Sequence, residues 1–140
     1  MGRHRRWGWV LLVAALAAGC GRGPEPPADT GAREAAQAFY EALVRQDWEA
    51  AHAALHPDSR ARCGAADFAR RARTYRDRLG FAPEAVQIRS CEEHGDEAIA
   101  HVVLTGRTGD RSRRYEDGVT LQRAAAGWGV VLPIGFGQGR

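Results

Sequence analysis

Few side chains in this sequence have both the type and the spacing to do chemistry. Asp117 stands in phase with Tyr115, Val119 and Leu121, so on a strand its carboxylate shares a face with apolar side chains. With Tyr115 beside it, Asp117 is a candidate for a carboxylate that points into the domain's interior; the alternative is a bulge at Asp117-Gly118 with the acid satisfied by a neighbouring Arg. His101 is in phase with Ile99 and Val103, while Ala98, Val102 and Leu104 compete for the core from the opposite face. His52 and His56 have the helical spacing at which two imidazoles can share a metal. No Glu stands between them in the zincin arrangement and no third ligand is evident. His52 also lies one turn beyond Trp48, where its ring packs without a ligand, so no metal is expected. Arg70, Arg71, Arg73, Arg76 and Arg78 crowd one segment against Asp67 and Asp77. They read either as a solvated helix face or as a patch for an anionic partner, such as phospholipid headgroups or a phosphorylated glycan. Neither a Gly-x-Ser-x-Gly elbow nor a phosphate-binding Gly loop is present, and no cofactor is expected.

These residues need elements to position them. A first helix is expected to start near Asp29 or Thr30, either able to cap it, with Glu34 in its first turn. Ala32, Ala35, Ala36, Phe39 and Leu43 form its buried stripe. Asp47 is the expected N-cap of a second helix carrying Trp48, Ala51 and Leu55, which Pro57 ends. A third runs from about Ala65 to Leu79 with Phe68, Ala72, Tyr75 and Leu79 inward and Gly80 as its terminating residue. Beyond Pro83 the period changes to alternation. Val86-x-Ile88, Ala98 to Leu104, Tyr115 to Arg123 and Trp128 to Ile134 read as strands, with turns at Glu93–Asp96, Thr108–Asp110 and Gly127. Gly135 to Arg140 reads as a Gly-rich tail. Three helices followed by a four-stranded antiparallel meander predict an α+β layer fold over residues 29–134.

The first nineteen residues supply an address. Arg3, Arg5 and Arg6 form a basic head, and Trp9 to Ala18 is an uncharged apolar run too short to span a bilayer but suited to a signal peptide. The ending Leu16-Ala-Ala-Gly-Cys20 resembles the lipobox of bacterial lipoproteins, in which cleavage precedes a lipidated Cys; the alternative is an ordinary secretory signal cut after Ala18. Two or three acyl chains on Cys20 would anchor the protein stably. Residues 20–28, Pro-rich and without large apolar side chains, read as a tether. The formal charge of +3 is carried by Arg3, Arg5 and Arg6, so removal of residues 1–19 leaves a chain near neutrality and no case for nucleic-acid binding. All 20 basic side chains are Arg, a compositional bias against reading any single Arg as a site.

Phe39-Tyr-Glu-Ala-Leu43, Gln46-Asp47-Trp48 with Ala50-Ala51, Leu55-x-Pro57 and a meander ending in Gly127-Trp128-Gly-Val130 are similar to the nuclear transport factor 2-like superfamily. The resemblance covers nearly the whole domain after the tether. It implies a curled sheet whose concave face wraps the helices into a cone with an open end for a small molecule or partner. It also implies two functional classes, since that superfamily includes isomerases that use an acid beside tyrosines in an apolar pocket, and many non-catalytic domains. Tyr40, Trp48, Tyr75 and Trp128 become candidate pocket-lining residues, though such an aromatic set, with Phe68, also reads as core.

With Cys20 used for lipidation, Cys63 and Cys91 remain as two thiols in an oxidising compartment, where a disulfide between them is expected. A helix of about fifteen residues rises about 22 Å and eight strand residues return about 26 Å, bringing Cys91 back beside the start of the third helix. Simple alternation, however, puts Cys91 on the side of Gln87 and Arg89. A metal site made by both thiols with His94 is the alternative. The functional expectation is a membrane-anchored extracytoplasmic lipoprotein, facing the periplasm or cell exterior, whose domain binds a small molecule or envelope component, or braces, without catalysis. The rival is an isomerase- or hydratase-type enzyme using Asp117.

Overall fold

The computed structural model describes residues 28–138. The signal segment 1–19, the lipidation candidate Cys20, the tether up to residue 27 and residues 139–140 lie outside the described residues. The described chain forms four helices and then four strands: α1 (Ala32–Arg45), α2 (Trp48–Ala53), α3 (Pro57–Arg62), α4 (Ala65–Arg78), β1 (Ala82–His94), β2 (Glu97–Thr108), β3 (Arg111–Ala124) and β4 (Gly127–Val131). The strands form one antiparallel sheet in the order β1-β2-β3-β4. This is the α+β fold that the sequence pattern predicts, with one helix more. Pro57 follows α2 but also occupies the first turn of α3, where its missing N–H is no loss, and the His56 ring accepts from the Asp58 N–H as the cap.

The α1 stripe is buried as expected at Ala32, Ala36, Phe39 and Leu43, with Tyr40 and Ala42 added to it and Ala35 only partly buried at its edge. Its cap differs from expectation. Gly31 is the N-cap residue, at φ 108° and without a side-chain cap bond. The free N–H groups of Thr30 and Ala32 donate instead to Glu93 Oε1 on β1, at 2.8 and 3.3 Å, and the Thr30 hydroxyl donates to Glu93 Oε2 at 2.7 Å. A carboxylate from the sheet thus does what a local cap would do. Burial alone would raise the Glu93 pKa, but these hydrogen bonds and the Arg123 charge outweigh it and the net direction is down. A carboxyl with a lowered folded pKa contributes stability that is complete above its ordinary value near 4.5 and is lost as pH falls below it. Glu93→Gln is therefore expected to cost about 0.5–1 kcal/mol at pH 7, the range of a lost exposed cap, with the difference from wild type shrinking by pH 3. Urea titrations at both pH values check it.

The α2 cap is as read, Asp47 accepting from the Ala50 N–H at 3.0 Å. Gly80 follows α4 at φ 69°, the left-handed conformation expected there. The core beneath is contiguous and centred on Phe39, Leu43, Phe68, Leu104, Leu121 and Val130. On β2, Ala98, Ala100, Val102 and Leu104 win the inner face. His101 consequently projects outward and is exposed, which removes it as a pocket candidate. The last strand ends at Val131, short of the expected Ile134, which is 82% exposed.

β1 carries two register breaks, between Pro83 and Ala85 and between Ile88 and Ser90. Each extra residue increases twist and bends the strand around α1. The Ile88 carbonyl at the second break accepts from Arg33 Nη1 at 2.8 Å. This break also reverses the phase, so that Cys91 pairs with Ala100 and packs against the core. The expected disulfide nevertheless does not form; both thiols are free. The length arithmetic leaves out lateral position: β1 packs on α1, whereas α4, which Cys63 precedes, packs on α2. Cys63 Sγ instead lies 3.4 Å from Asp67 Oδ2. Burial, with the Asp67 hydrogen bond, raises the Cys63 pKa, and burial, with Glu93, raises that of Cys91. Neither is an activated thiolate.

Candidate functional site

Between α1, α4, the middle of β3 and the chain after β4 lies a cavity of about 300 Å³. Its wall is apolar and aromatic, with Phe39, Leu79, Val119, Val130, Leu132 and Phe136 around Tyr40, Tyr75 and Tyr115. Asp117 is the carboxylate in this wall, on the inner face of β3 as the alternation places it. The β2–β3 register runs without a shift through Val102–Asp117 and His101–Gly118, so no bulge interrupts the strand there. Tyr40, on the buried stripe of α1, donates its hydroxyl to Asp117 Oδ2 at 2.9 Å. Tyr75, on the inner stripe of α4, donates to the same oxygen at 2.6 Å. Oδ1 accepts from the Gly118 N–H at 2.8 Å. Burial, together with the neighbouring negative charge of Asp117, pushes both phenols well above the usual tyrosine range, so they stay protonated and act as donors. Tyr115 also lines the cavity; it is 41% exposed, and burial and Asp117 raise its pKa as well.

The chain after β4, expected to be a tail, forms part of this wall. Phe136 stacks on Tyr75 with centroids 5.0 Å apart and on Phe68 at 5.9 Å. Gly137 allows the approach: a Cβ there would lie 2.0 Å from the Arg71 carbonyl oxygen, and its φ is 60°. The buried Ser59 hydroxyl accepts from the Leu132 N–H at 3.0 Å and holds the base of the segment.

Other expected site residues lie elsewhere. Trp48 packs at the core's edge with the Arg73 guanidinium 5.8 Å over its ring, and is not in the cavity wall. Trp128 is also outside it, donating to the Thr30 hydroxyl at 3.0 Å beneath Arg123. The Arg side chains of α4 are engaged with different partners. Arg70 and Arg71 pair with Asp67, and Arg76 donates to the Leu43 and Val44 carbonyls at the end of α1. Arg78 donates to the Gln138 carbonyl and touches the cavity from its exposed side. His52 Nε2 donates to the Cys63 carbonyl at 2.8 Å, while His56 caps α3, so the two rings serve separate structural bonds. Leu79, Phe136 and Arg78 are wall residues that the sequence reading did not single out as such. For Phe136 the available signal was a lone aromatic between two glycines.

Four helices held in the concave face of a curled four-stranded sheet, with a pocket at the open end, define the nuclear transport factor 2-like or cystatin-like fold. The chain superposes on a Campylobacter jejuni protein provisionally named an NTF2-like transpeptidase, with TM-score 0.54 and 16% identity over 71% of this chain and 96% of that one. An NTF2-like protein with a cystatin-like fold from Novosphingobium aromaticivorans matches at TM-score 0.49 and 20% identity, over 71% of this chain and 74% of that one. No family profile and no curated protein sequence matches the chain significantly.

Proposed function

We propose that this chain is an exported lipoprotein, held to a bacterial membrane through Cys20, whose cone binds a small molecule without transforming it. One observation carries the non-catalytic reading: the two buried phenols and the carboxylate oxygen between them are spent on one another. Both buried phenols donate to Asp117 Oδ2, so neither is free to donate to a substrate oxygen, and that carboxylate oxygen is not free to take a proton. The transpeptidase name of the Campylobacter protein gains no support here, since no Ser, Thr or Cys lines this pocket among the described residues. Native mass spectrometry of the full chain purified from its own membranes is expected to show a retained small molecule that denaturation releases. Protein with no such adduct would count against a bound ligand.

One observation favours the second reading, an isomerase- or hydratase-type enzyme. Oδ1 accepts only from Gly118 among the described residues and so keeps acceptor capacity toward the cavity. A turnover abolished by Asp117→Asn, with the circular dichroism spectrum unchanged, would move the conclusion to the enzyme. The address is tested separately. Cys20→Ser is expected to transfer the protein almost entirely from the membrane fraction to the soluble one, because acyl chains on Cys20 are the proposed anchor and no described helix is long and apolar enough to cross a membrane. Immunoblots of both fractions read the result, and a variant that still sediments with membranes rejects the lipoprotein assignment.

A further inference from the structure

We propose that the molecule taken by this pocket is an organic cation, an ammonium group on a compact apolar body. The proposal rests on reading the cone as a binding site and adds the ligand's charge. The first ground is an uncompensated charge. Asp117 is partly buried, and among the described residues it takes part in no ion pair. Its three hydrogen bonds occupy lone pairs but leave its net charge in a wall of low polarity, where an opposite charge gains far more than it does in water. Arg78, the one basic side chain of the lining among the described residues, keeps its charge while donating to the Gln138 carbonyl, but it is exposed, where solvent and salt screen it, and it forms no ion pair with Asp117.

The second ground is the rings. Tyr40, Tyr75, Tyr115, Phe39 and Phe136 all contribute to the wall around that carboxylate. Aromatic rings attract cations through their quadrupole, and an alkylated ammonium is only weakly hydrated, so a wall rich in rings favours it even though Phe136 is itself stacked on Tyr75 and Phe68. An anion inside the pocket would meet Asp117 and be repelled, since the Arg78 charge stands on the exposed side where it is screened, while a neutral guest would gain only from apolar burial. A cavity of about 300 Å³ limits the guest to a small one. Asp117 also shifts all three tyrosines upward, so its charge is felt throughout the wall.

The test compares choline with its neutral carbon isostere, 3,3-dimethylbutan-1-ol, by calorimetric titration of the full chain in nonionic detergent. Choline is expected to bind about tenfold tighter or better, with size and shape held constant. Asp117→Asn, checked for fold by circular dichroism, is expected to remove that preference. The comparison on the natural chain needs no variant, so it stands even if the variant does not fold. Equal or tighter binding of the isostere overturns the cation assignment and leaves the pocket reading intact. Binding of neither, with a neutral adduct in native mass spectrometry, also overturns it. Binding of neither with no adduct at all overturns both.

Discussion

Phe68→Ala is expected to destabilise the domain by about 3–5 kcal/mol, the range for removing a fully buried aromatic ring. Phe68 is 0% exposed and reaches several elements at once. Its ring lies 6.3 Å from Phe39 of α1, 5.5 Å from His52 of α2 and 5.9 Å from Phe136 after β4. Little backbone slack exists to refill the space, because three sides of the ring belong to three separate segments. Against a total stability of order 5–15 kcal/mol the loss is severe, and a fall in melting temperature of roughly 12–25 °C is expected. The Phe136 segment should loosen before the core melts, since it loses its parallel stacking partner. Hydrogen exchange at residues 134–138 rising more than exchange in β2 would show that order of events; uniform acceleration would show that the segment has no separate hold on the pocket.

What the sequence made legible follows the strength of its periodicities. Asp117 could be placed on the inner face because Tyr115, Val119 and Leu121 alternate with it over an unbroken register. Tyr40 and Tyr75 sit on or beside helical stripes that were plain to read, yet nothing in either helix told that their hydroxyls meet on one oxygen; that depends on how α1 and α4 lie against β3. The Cys63–Cys91 pairing fails for the same reason, since lengths along the chain say nothing of lateral placement. Arg89 is where alternation itself misleads. An extra residue in β1 turns Cys91 inward, and a bulge leaves no mark on composition. Glu93 as the cap of α1 was likewise hidden, because its partners Thr30 and Ala32 lie 63 and 61 residues away. The Gly-rich end reads as a tail because glycine signals turns and close approaches equally well, and only the contact with Arg71 decides between them.

Gly129→Ala is the second substitution expected to have a large effect, although it adds a single methyl group. Gly129 is buried in β4, and an ideal Cβ there would stand 2.5 Å from His56 Cα and 2.7 Å from His56 N. These are backbone atoms with no rotamer to relieve the clash. They are also fixed, because the His56 N–H donates to the Val130 carbonyl at 2.8 Å and the Val130 N–H donates to the Ala54 carbonyl at 3.0 Å. This pair of bonds, with the parallel bridge of Leu55 to Val130, ties the α2–α3 connection to the edge strand. The methyl must therefore part the strand from the helices and weaken both bonds, a cost of about 3 kcal/mol at the upper end of overpacking. Val130 and Leu132 lie in the pocket wall just beyond, so the same displacement should open the cavity and impair ligand retention at temperatures where the domain remains folded. Chemical denaturation of the variant measures the first effect and adduct occupancy in native mass spectrometry the second. A variant as stable as the natural chain would mean that β4 does not press on the α2–α3 connection as described. A destabilised variant with unchanged occupancy would mean that the strand's position does not control the pocket.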